Sequence, residues 1–161
     1  MILIEAPQAY DPAGRHVVFL AGSIEMGRAV DWQTTVVQAL APFDGLVLNP
    51  RRRDWDSTWV QSKDNPPFRE QVEWELTGIE RATILVINFD PTTQSPITLF
   101  ELGLSIATNA EAILVCCPEG FWRRGNVEIV CQRYGFPCYA TLEALMHDLC
   151  QLQARRQGVS P

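Results

Sequence analysis

Short runs of apolar residues alternate along the chain with segments in which apolar positions recur at helical spacing. The short runs are typical of buried strands, and we expect strands at residues 16–22, 45–49, 83–89, 112–117 and 137–139. The periodic segments predict helices at about residues 27–40, 67–81, 96–108, 126–134 and 141–153. Ser95, which is followed by Pro96, is the expected N-cap of the third helix.

Strands this short and continuously apolar are covered on both faces in parallel sheets. The alternation therefore predicts an α/β fold: a doubly wound, flavodoxin-like parallel five-stranded sheet with helices on both faces. We expect a single domain over residues 1–161, with its core at about residues 16–153. Ligands of such sheets bind beyond the carboxyl ends of the strands, so the informative loops are residues 22–28, 50–66, 90–95 and 118–126.

The composition is typical of a soluble globular protein, since 47% of the 161 residues are hydrophobic and 20% are charged. The net charge of −6 disfavours nucleic-acid polymers as partners, because a polyanion is repelled. The longest apolar stretches are far shorter than the roughly 20 residues that a membrane helix needs, so no membrane partner is expected.

The five cysteines form no CxxC pair, and the N-terminus lacks the pattern of a signal peptide. These features predict reduced thiols and a cytoplasmic location. The two histidines, His16 and His147, fall in a predicted strand and a predicted helix, which disfavours a histidine metal site. We expect neither a metal nor a cofactor.

Two acidic side chains are predicted to point inward from their helices. At helical spacing, Glu101 shares a face with Ile97, Leu104, Ser105 and Thr108. Glu75 shares a face with Phe68, Val72 and Ile79, whereas Glu73 falls on a polar face with Arg69, Thr77 and Glu80. Burying a carboxylate without a partner is unfavourable or raises its pKa, so the two inward acids need an explanation.

Two interpretations of Glu75 and Glu101 are open. Each acid could pair with an arginine or accept hydrogen bonds from backbone amides. Alternatively, both face one ligand, since their helices flank the predicted strand at residues 83–89. Two such carboxyl groups suit glycosidic chemistry, in which one attacks the anomeric carbon while the other manages protons or binds hydroxyl groups. The presence of a pair favours this second interpretation.

The first predicted strand ends in a Gly-Ser turn made by Gly22, Ser23 and Ile24, which could present backbone amides to a ligand. The chain has no GxGxxG motif and no phosphate-loop lysine, so a dinucleotide or triphosphate site is not supported. The turn is also poorer in Ser, Thr and Gly than the flavin phosphate loops of this fold, which disfavours flavodoxin chemistry.

The loop at residues 49–59 contains three arginines, two aspartates and two tryptophans. Aromatic rings with polar neighbours, such as Trp55 beside Asp56, suit a planar base. The alternative is a solvated loop that packs its tryptophans on the domain.

Three segments carry a family resemblance: FLAGSI at residues 19–24, WELTGIERATILVINFD at 74–90 and SPITLFELG at 95–103. In order and spacing they resemble the nucleoside 2-deoxyribosyltransferase family and its nucleoside-monophosphate N-glycosidase relatives, over about residues 17–134. The resemblance implies that Glu101 is the nucleophile that attacks C1′ of the sugar. It also implies that Glu75, in place of the family's aspartate in D-L-x-x-I, helps to bind the sugar and handle protons.

Two further positions follow from the resemblance. The transferases have an aspartate six residues before the nucleophile, where this chain has Ser95, as the monophosphate hydrolases tend to. A serine at a helix N-terminus suits a phosphate. The family's site is completed by a polar residue of a neighbouring subunit, and Asn126 lies at the matching distance, which implies a homo-oligomer. The alternative for Asn126 is that it caps a helix beginning near Val127.

We therefore expect an enzyme that cleaves or exchanges the N-glycosidic bond of a nucleoside or its 5′-monophosphate. The expected catalytic residues are Glu101 and Glu75, and the expected substrate-binding residues are Gly22, Ser23, Ile24, Trp55, Asp56, Asp90, Ser95 and Asn126. One alternative is a non-catalytic nucleotide-sensing domain of the same fold. Another is an N-ribosyl hydrolase acting on a larger substrate such as a dinucleotide.

Overall fold

Six parallel strands form one sheet at the centre of the computed structural model, which describes residues 1–24 and 29–156. The strands are β1 (Ile2–Glu5), β2 (Val17–Gly22), β3 (Leu46–Asn49), β4 (Ile84–Asn88), β5 (Ala112–Cys116) and β6 (Cys138–Tyr139). Their order across the sheet is β1-β3-β2-β4-β5-β6. Because every neighbouring pair is parallel, the carboxyl ends of the strands meet at one edge.

The expectation of five strands is wrong by one, because the edge strand β1 precedes the five that the sequence predicted. β1 pairs with β3, from Ile2 opposite Leu46 to Glu5 opposite Asn49. It is four residues long and partly exposed, so it lacks the continuous apolar run of a strand covered on both faces. The order of the other five strands is the flavodoxin-like order 2-1-3-4-5.

Helices cover both faces of the sheet, as predicted. They are α1 (Trp32–Ala39), α2 (Pro66–Arg81), α3 (Pro96–Ser105), α4 (Arg124–Tyr134) and α5 (Leu142–Arg156). The helices α1 and α5 pack on one face, and α2, α3 and α4 pack on the other. The arrangement is doubly wound. In the two described parts of the chain, no helix has both the length and the apolar content needed to cross a bilayer.

Several helix boundaries differ from the prediction, and α5 continues to Arg156, three residues beyond its expected end. α1 begins at Trp32 because Asp31 is its N-cap, with a carboxylate oxygen 3.2 Å from the backbone nitrogen of Thr34. Residues 27 and 28 of the predicted helix lie outside the described residues. α3 ends at Ser105, and residues 106–108 continue as a turn. α4 begins at Arg124, two residues earlier than expected, with Arg123 at its N-cap.

The carboxyl edge of the sheet brings the ends of β2 and β4 together. In the register of the sheet Gly22 lies opposite Asn88, and the backbone nitrogen of Ser23 donates a hydrogen bond to the carbonyl oxygen of Asn88 at 2.9 Å. The chain continues from β4 into α3 through residues 89–95. Residues that follow β2 and residues that precede α3 therefore lie side by side at this edge.

Candidate active site

Glu101 is buried on the sheet-facing side of α3, with 8% of its surface exposed. The buried residues of this helix are Thr98, Glu101, Leu102 and Ser105, which follow helical spacing. The prediction that Ile97 shares this face is wrong, since 62% of Ile97 is exposed. Burial raises the pKa of Glu101 well above its ordinary value, and the nearby negative charge of Glu75 raises it further.

Glu75 lies on α2, the helix packed beside α3, and is half-buried. Burial raises the pKa of its carboxyl group to about 7, although a hydrogen bond from Gln71 acts in the opposite direction. Glu73 is exposed and forms an ion pair with Arg69 at 3.4 Å. The predicted distinction between an inward Glu75 and a solvent-facing Glu73 is therefore confirmed.

Gln71, one helical turn before Glu75, is a buried polar neighbour that the sequence analysis did not identify. Its Nε2 atom donates hydrogen bonds to Glu75 Oε1 at 2.8 Å and to the carbonyl oxygen of Pro50 at 2.9 Å. Pro50 directly follows β3, so Gln71 connects the acid on α2 to the carboxyl edge of the sheet. The signal was available, because Gln71 and Glu75 are four residues apart on one helix face.

Three hydroxyl groups meet where β2 ends and α3 begins. The Oγ atom of Ser95 is 2.5 Å from the Oγ atom of Ser23 and 2.7 Å from the Oγ1 atom of Thr93. Ser23 Oγ also accepts a hydrogen bond from the backbone nitrogen of Asp90 at 2.9 Å. Ser95 stands at the N-cap position of α3 as predicted, but it has a left-handed φ of 45° and its side chain makes no capping bond. The Ser95 hydroxyl group instead forms a hydrogen bond with Ser23, which follows β2.

Close packing within the protein explains why position 22 is a glycine. It has a φ of 153°, and a Cβ atom there would lie 2.5 Å from the carbonyl oxygen of Asn88 and 2.7 Å from the indole ring of Trp32. Since the amide of Ser23 also continues the sheet ladder to Asn88, that amide does not face a ligand. Ile24 is half-buried and is the last described residue before the gap at residues 25–28.

Asp90 is buried beside the hydroxyl cluster made by Ser23, Thr93 and Ser95. Its Oδ1 atom accepts hydrogen bonds from the backbone nitrogen of Thr92 at 2.8 Å and from its hydroxyl group at 2.7 Å. Burial acts to raise the pKa of Asp90, but the bonds from Thr92 and from the backbone of Val30 lower it below the ordinary value. Asp90 is thus a charged residue that orders the turn between β4 and α3.

The two predicted base-binding residues after β3 have neighbours in their own loop. Trp55 is half-buried and packs edge-on against Trp59, with ring centroids 5.2 Å apart. Asp56 is exposed and accepts hydrogen bonds from the backbone nitrogen and the hydroxyl group of Thr58, at 2.8 Å and 2.7 Å. No hydrogen bond joins either residue to Glu75 or Glu101 within the described ranges. The two tryptophan rings therefore pack against each other within the loop, and base binding by Trp55 and Asp56 stays a prediction.

Asn126 lies in the first turn of α4 and is exposed. The interpretation of Asn126 as a helix cap is wrong, because α4 begins two residues earlier and Arg123 occupies the N-cap position. The residue is exposed at this position of the helix.

The comparisons with known proteins identify a family. The sequence profile of the family described as "Nucleoside 2-deoxyribosyltransferase like" matches residues 15–121, which is more than half of the chain and includes Glu75 and Glu101. The chain belongs to this family. Asn126 lies beyond the matched region of this nucleoside 2-deoxyribosyltransferase-like protein.

Two other comparisons add to this picture. A search of the curated proteins gives no match. Among solved structures, a conserved protein from Enterococcus faecalis V583 is similar to this nucleoside 2-deoxyribosyltransferase-like protein, with a TM-score of 0.58 and 10% sequence identity. The likeness covers 89% of this chain and 99% of that chain. At that identity the likeness shows the fold alone.

Proposed function

We propose that the protein cleaves or exchanges the N-glycosidic bond of a nucleoside or a nucleoside 5′-monophosphate, with Glu101 as the nucleophile. The observation that carries the proposal is the pair of inward carboxyl groups on adjacent helices, α2 and α3, in a chain of this family. A structural acid in the protein interior is normally paired with a cation or with several donors. Burial instead raises the pKa values of both acids, and the charge of Glu75 raises that of Glu101 further, as at reactive carboxyl pairs.

The proposed reaction has two displacement steps at C1′. The carboxylate oxygen of Glu101 forms a bond to C1′ while the bond from C1′ to the base nitrogen breaks, and the base leaves with the electron pair. The base gains a proton, and we assign the carboxyl group of Glu75 as its donor. Water or a second base then attacks C1′ while the bond from C1′ to Glu101 breaks, and the Glu101 carboxylate leaves with the electron pair. The proton that the attacking group loses returns to the ionised carboxyl group of Glu75.

The raised pKa values fit these roles. With a pKa of about 7, Glu75 is present in both protonation states near neutral pH, which suits a group that gives and takes a proton. Glu101 must be ionised to attack, and its burial opposes ionisation in the free protein. The positive charge that develops on the sugar in the transition state favours the ionised form of Glu101. This attraction opposes the effect of burial on the Glu101 carboxyl group.

We further propose that a 5′-phosphate is held where α3 begins, beside Ser95. This position is supported by the helix N-terminus and by the hydroxyl cluster that includes Ser23 and Ser95. Monophosphates are then better substrates than free nucleosides. Equal rates for both would place the phosphate outside the site.

The test is a panel of nucleosides and monophosphates, with and without an acceptor base, in which released or exchanged bases are separated by chromatography. We expect activity in the wild type and a loss of at least about 10³-fold in Glu101→Gln, because the amide cannot act as the nucleophile. The matched control is Glu73→Gln on the exposed side of α2, which should leave the rate unchanged.

Two outcomes would contradict the proposal. If Glu101→Gln is folded and as active as the wild type, Glu101 is not the nucleophile. If the wild type binds a nucleotide in calorimetry but releases no base from any member of the panel, the protein is a nucleotide-sensing domain.

A further inference from the structure

The orientation of the Gln71 amide group follows from its neighbours. The Gln71 amide group faces the carbonyl oxygen of Pro50 and a carboxyl oxygen of Glu75, and both of these oxygens accept hydrogen bonds. The NH₂ group of Gln71 must therefore face them, and each of its two hydrogens has a partner. The reverse orientation would place two oxygens against the amide oxygen.

This orientation leaves the amide oxygen of Gln71 facing elsewhere. Gln71 is only 4% exposed, and its Oε1 atom is buried without a hydrogen-bond partner among the described residues. The Nε2 and Oε1 atoms of Gln71 are bonded to the same carbon, and Nε2 is 2.8 Å from Glu75 Oε1. Gln71 Oε1 therefore lies less than two hydrogen-bond lengths from that carboxyl oxygen. A buried acceptor without a donor is unfavourable for the folded protein, so its presence calls for an explanation such as a catalytic or binding role.

We propose that Gln71 is a positioning and binding residue of the candidate active site: its NH₂ group fixes the Glu75 carboxyl group, and its Oε1 atom accepts a hydrogen bond from a sugar hydroxyl of the substrate. The inference rests on the proposed N-glycosidic function and assigns it a further residue. The sugar of a nucleoside or nucleotide offers hydroxyl donors: the 3′-hydroxyl in deoxyribose, and the 2′-hydroxyl as well in ribose. Both functions of Gln71 depend on the same fixed amide.

The charged groups around Glu75 determine what removal of Gln71 does. Glu101 on α3 is the titratable group that interacts with Glu75 across the helix pair. On α2 itself, Glu70 is paired with Arg52 and Glu73 with Arg69. From the segment after β3, the neutral carbonyl group of Pro50 reaches Gln71. The NH₂ group of Gln71 is thus a donor that favours the ionised form of Glu75, so its loss raises the pKa of Glu75 further.

The test compares Gln71→Met with Gln153→Met in the full-length protein. Methionine keeps a similar shape but removes the amide group. Gln153 is the matched control, because its buried amide also has no hydrogen-bond partner among the described residues. It lies on α5, on the other face of the sheet, in a cleft with His16 and Asp44. We expect kcat/KM to fall at least about tenfold in Gln71→Met and to be unchanged in Gln153→Met.

Three readouts separate positioning from a general loss of structure. In Gln71→Met, the limb of the pH–rate profile assigned to Glu75 should move to higher pH, and the KM for the substrate should rise. An unchanged KM with a lowered kcat would overturn the binding function of Oε1. A kcat/KM within twofold of the wild type, with the same pH limb, would overturn the whole inference while Glu101→Gln still tests the proposed function.

A second measurement does not depend on turnover. The titration of the Glu75 side-chain carboxyl carbon, followed by NMR in the free protein, should have a higher midpoint in Gln71→Met than in the wild type or Gln153→Met. The same midpoint in all three proteins would overturn the positioning function. If the wild type shows no activity but the midpoint is raised in Gln71→Met, the proposed N-glycosidic function is contradicted, whereas the positioning of Glu75 by Gln71 is supported.

Discussion

At Glu75, burial and hydrogen bonding act on the protonation state in opposite directions, and burial has the larger effect. The pKa rises from 4.5 to about 7. A carboxyl group with a raised pKa in the folded state stabilises the fold below its unfolded value, and this contribution is lost as the pH rises through the folded value. The window lies between pH 4.5 and about 7, and the loss amounts to at most about 3 kcal/mol.

We therefore expect Glu75→Gln to flatten the pH dependence of stability. Above pH 7 the wild type holds an ionised carboxyl group in a half-buried position, whereas the amide carries no charge. The variant should unfold at a higher temperature than the wild type at pH 8, by at least about 3 °C, and the gain should shrink towards pH 5. Thermal unfolding across this range is the measurement. Glu73→Gln, which removes an exposed ion pair, should give no such gain.

The residue-level predictions from sequence succeeded where helix geometry alone decides. A fixed rotation of about 100° per residue was enough to direct Glu75 and Glu101 inward and Glu73 outward. The same rule failed for Ile97 at the first turn of α3, where the helix end leaves the side chain exposed. The bond between Ser23 and Ser95 joins residues 72 positions apart, and no local pattern encodes it.

At the level of elements, the position of Glu75 depends on how closely α2 approaches the sheet. Gly78 lies on the buried side of this helix, and a Cβ atom there would be 2.5 Å from the ring of Phe19 in β2. The helix therefore packs directly against the aromatic ring, with its backbone close to the sheet. Glu75 is three residues before this contact, on the same side of the helix.

We expect Gly78→Ala to destabilise the protein by about 1–3 kcal/mol, because the added methyl group overlaps a buried ring. It should also lower the rate, since the displaced helix carries Glu75 with it. Gly103→Ala on α3 is the control: nothing lies within 4 Å of its Cβ position, so the change should stabilise the helix slightly. Urea unfolding and the base-release assay measure the two effects. Equal stability of both variants would contradict the close packing of α2.

The elements themselves were largely predictable, because strands buried on both faces give short apolar runs that differ from helical spacing. β1 was not predicted, because this four-residue edge strand is partly exposed and lacks a continuous buried apolar run. It forms through its pairing with β3. The start of α1 was placed too early, because an apolar pattern continues past the point where Asp31 caps the helix. Both misses concern ends and edges, where tertiary contacts decide the boundary.

For the whole molecule, the open question is whether one chain contains a complete site. The exposed side of α3 carries Ile97 and Phe100, which are 62% and 60% exposed, and the exposed side of α4 carries Ile129, which is 65% exposed. These two helices also carry Glu101 and Asn126. Exposed apolar side chains gain free energy when a second subunit covers them. We propose that the partner subunit's Asn126 completes each site, as the family resemblance implies.

Mixing two inactive variants tests this assembly. We expect Glu101→Ala and Asn126→Ala to be inactive or nearly so as separate proteins, because each site lacks either the nucleophile or the amide that the partner supplies. In a mixed dimer, one of the two sites combines the intact Glu101 of one chain with the intact Asn126 of the other. When equal amounts are mixed and subunits exchange freely, half of the dimers are mixed, and one of the two sites in each mixed dimer is intact. About a quarter of the wild-type activity should therefore return. Subunit exchange is verified separately, with differently tagged chains. If tagged subunits exchange and no activity returns, each site belongs to one chain and Asn126 acts within it.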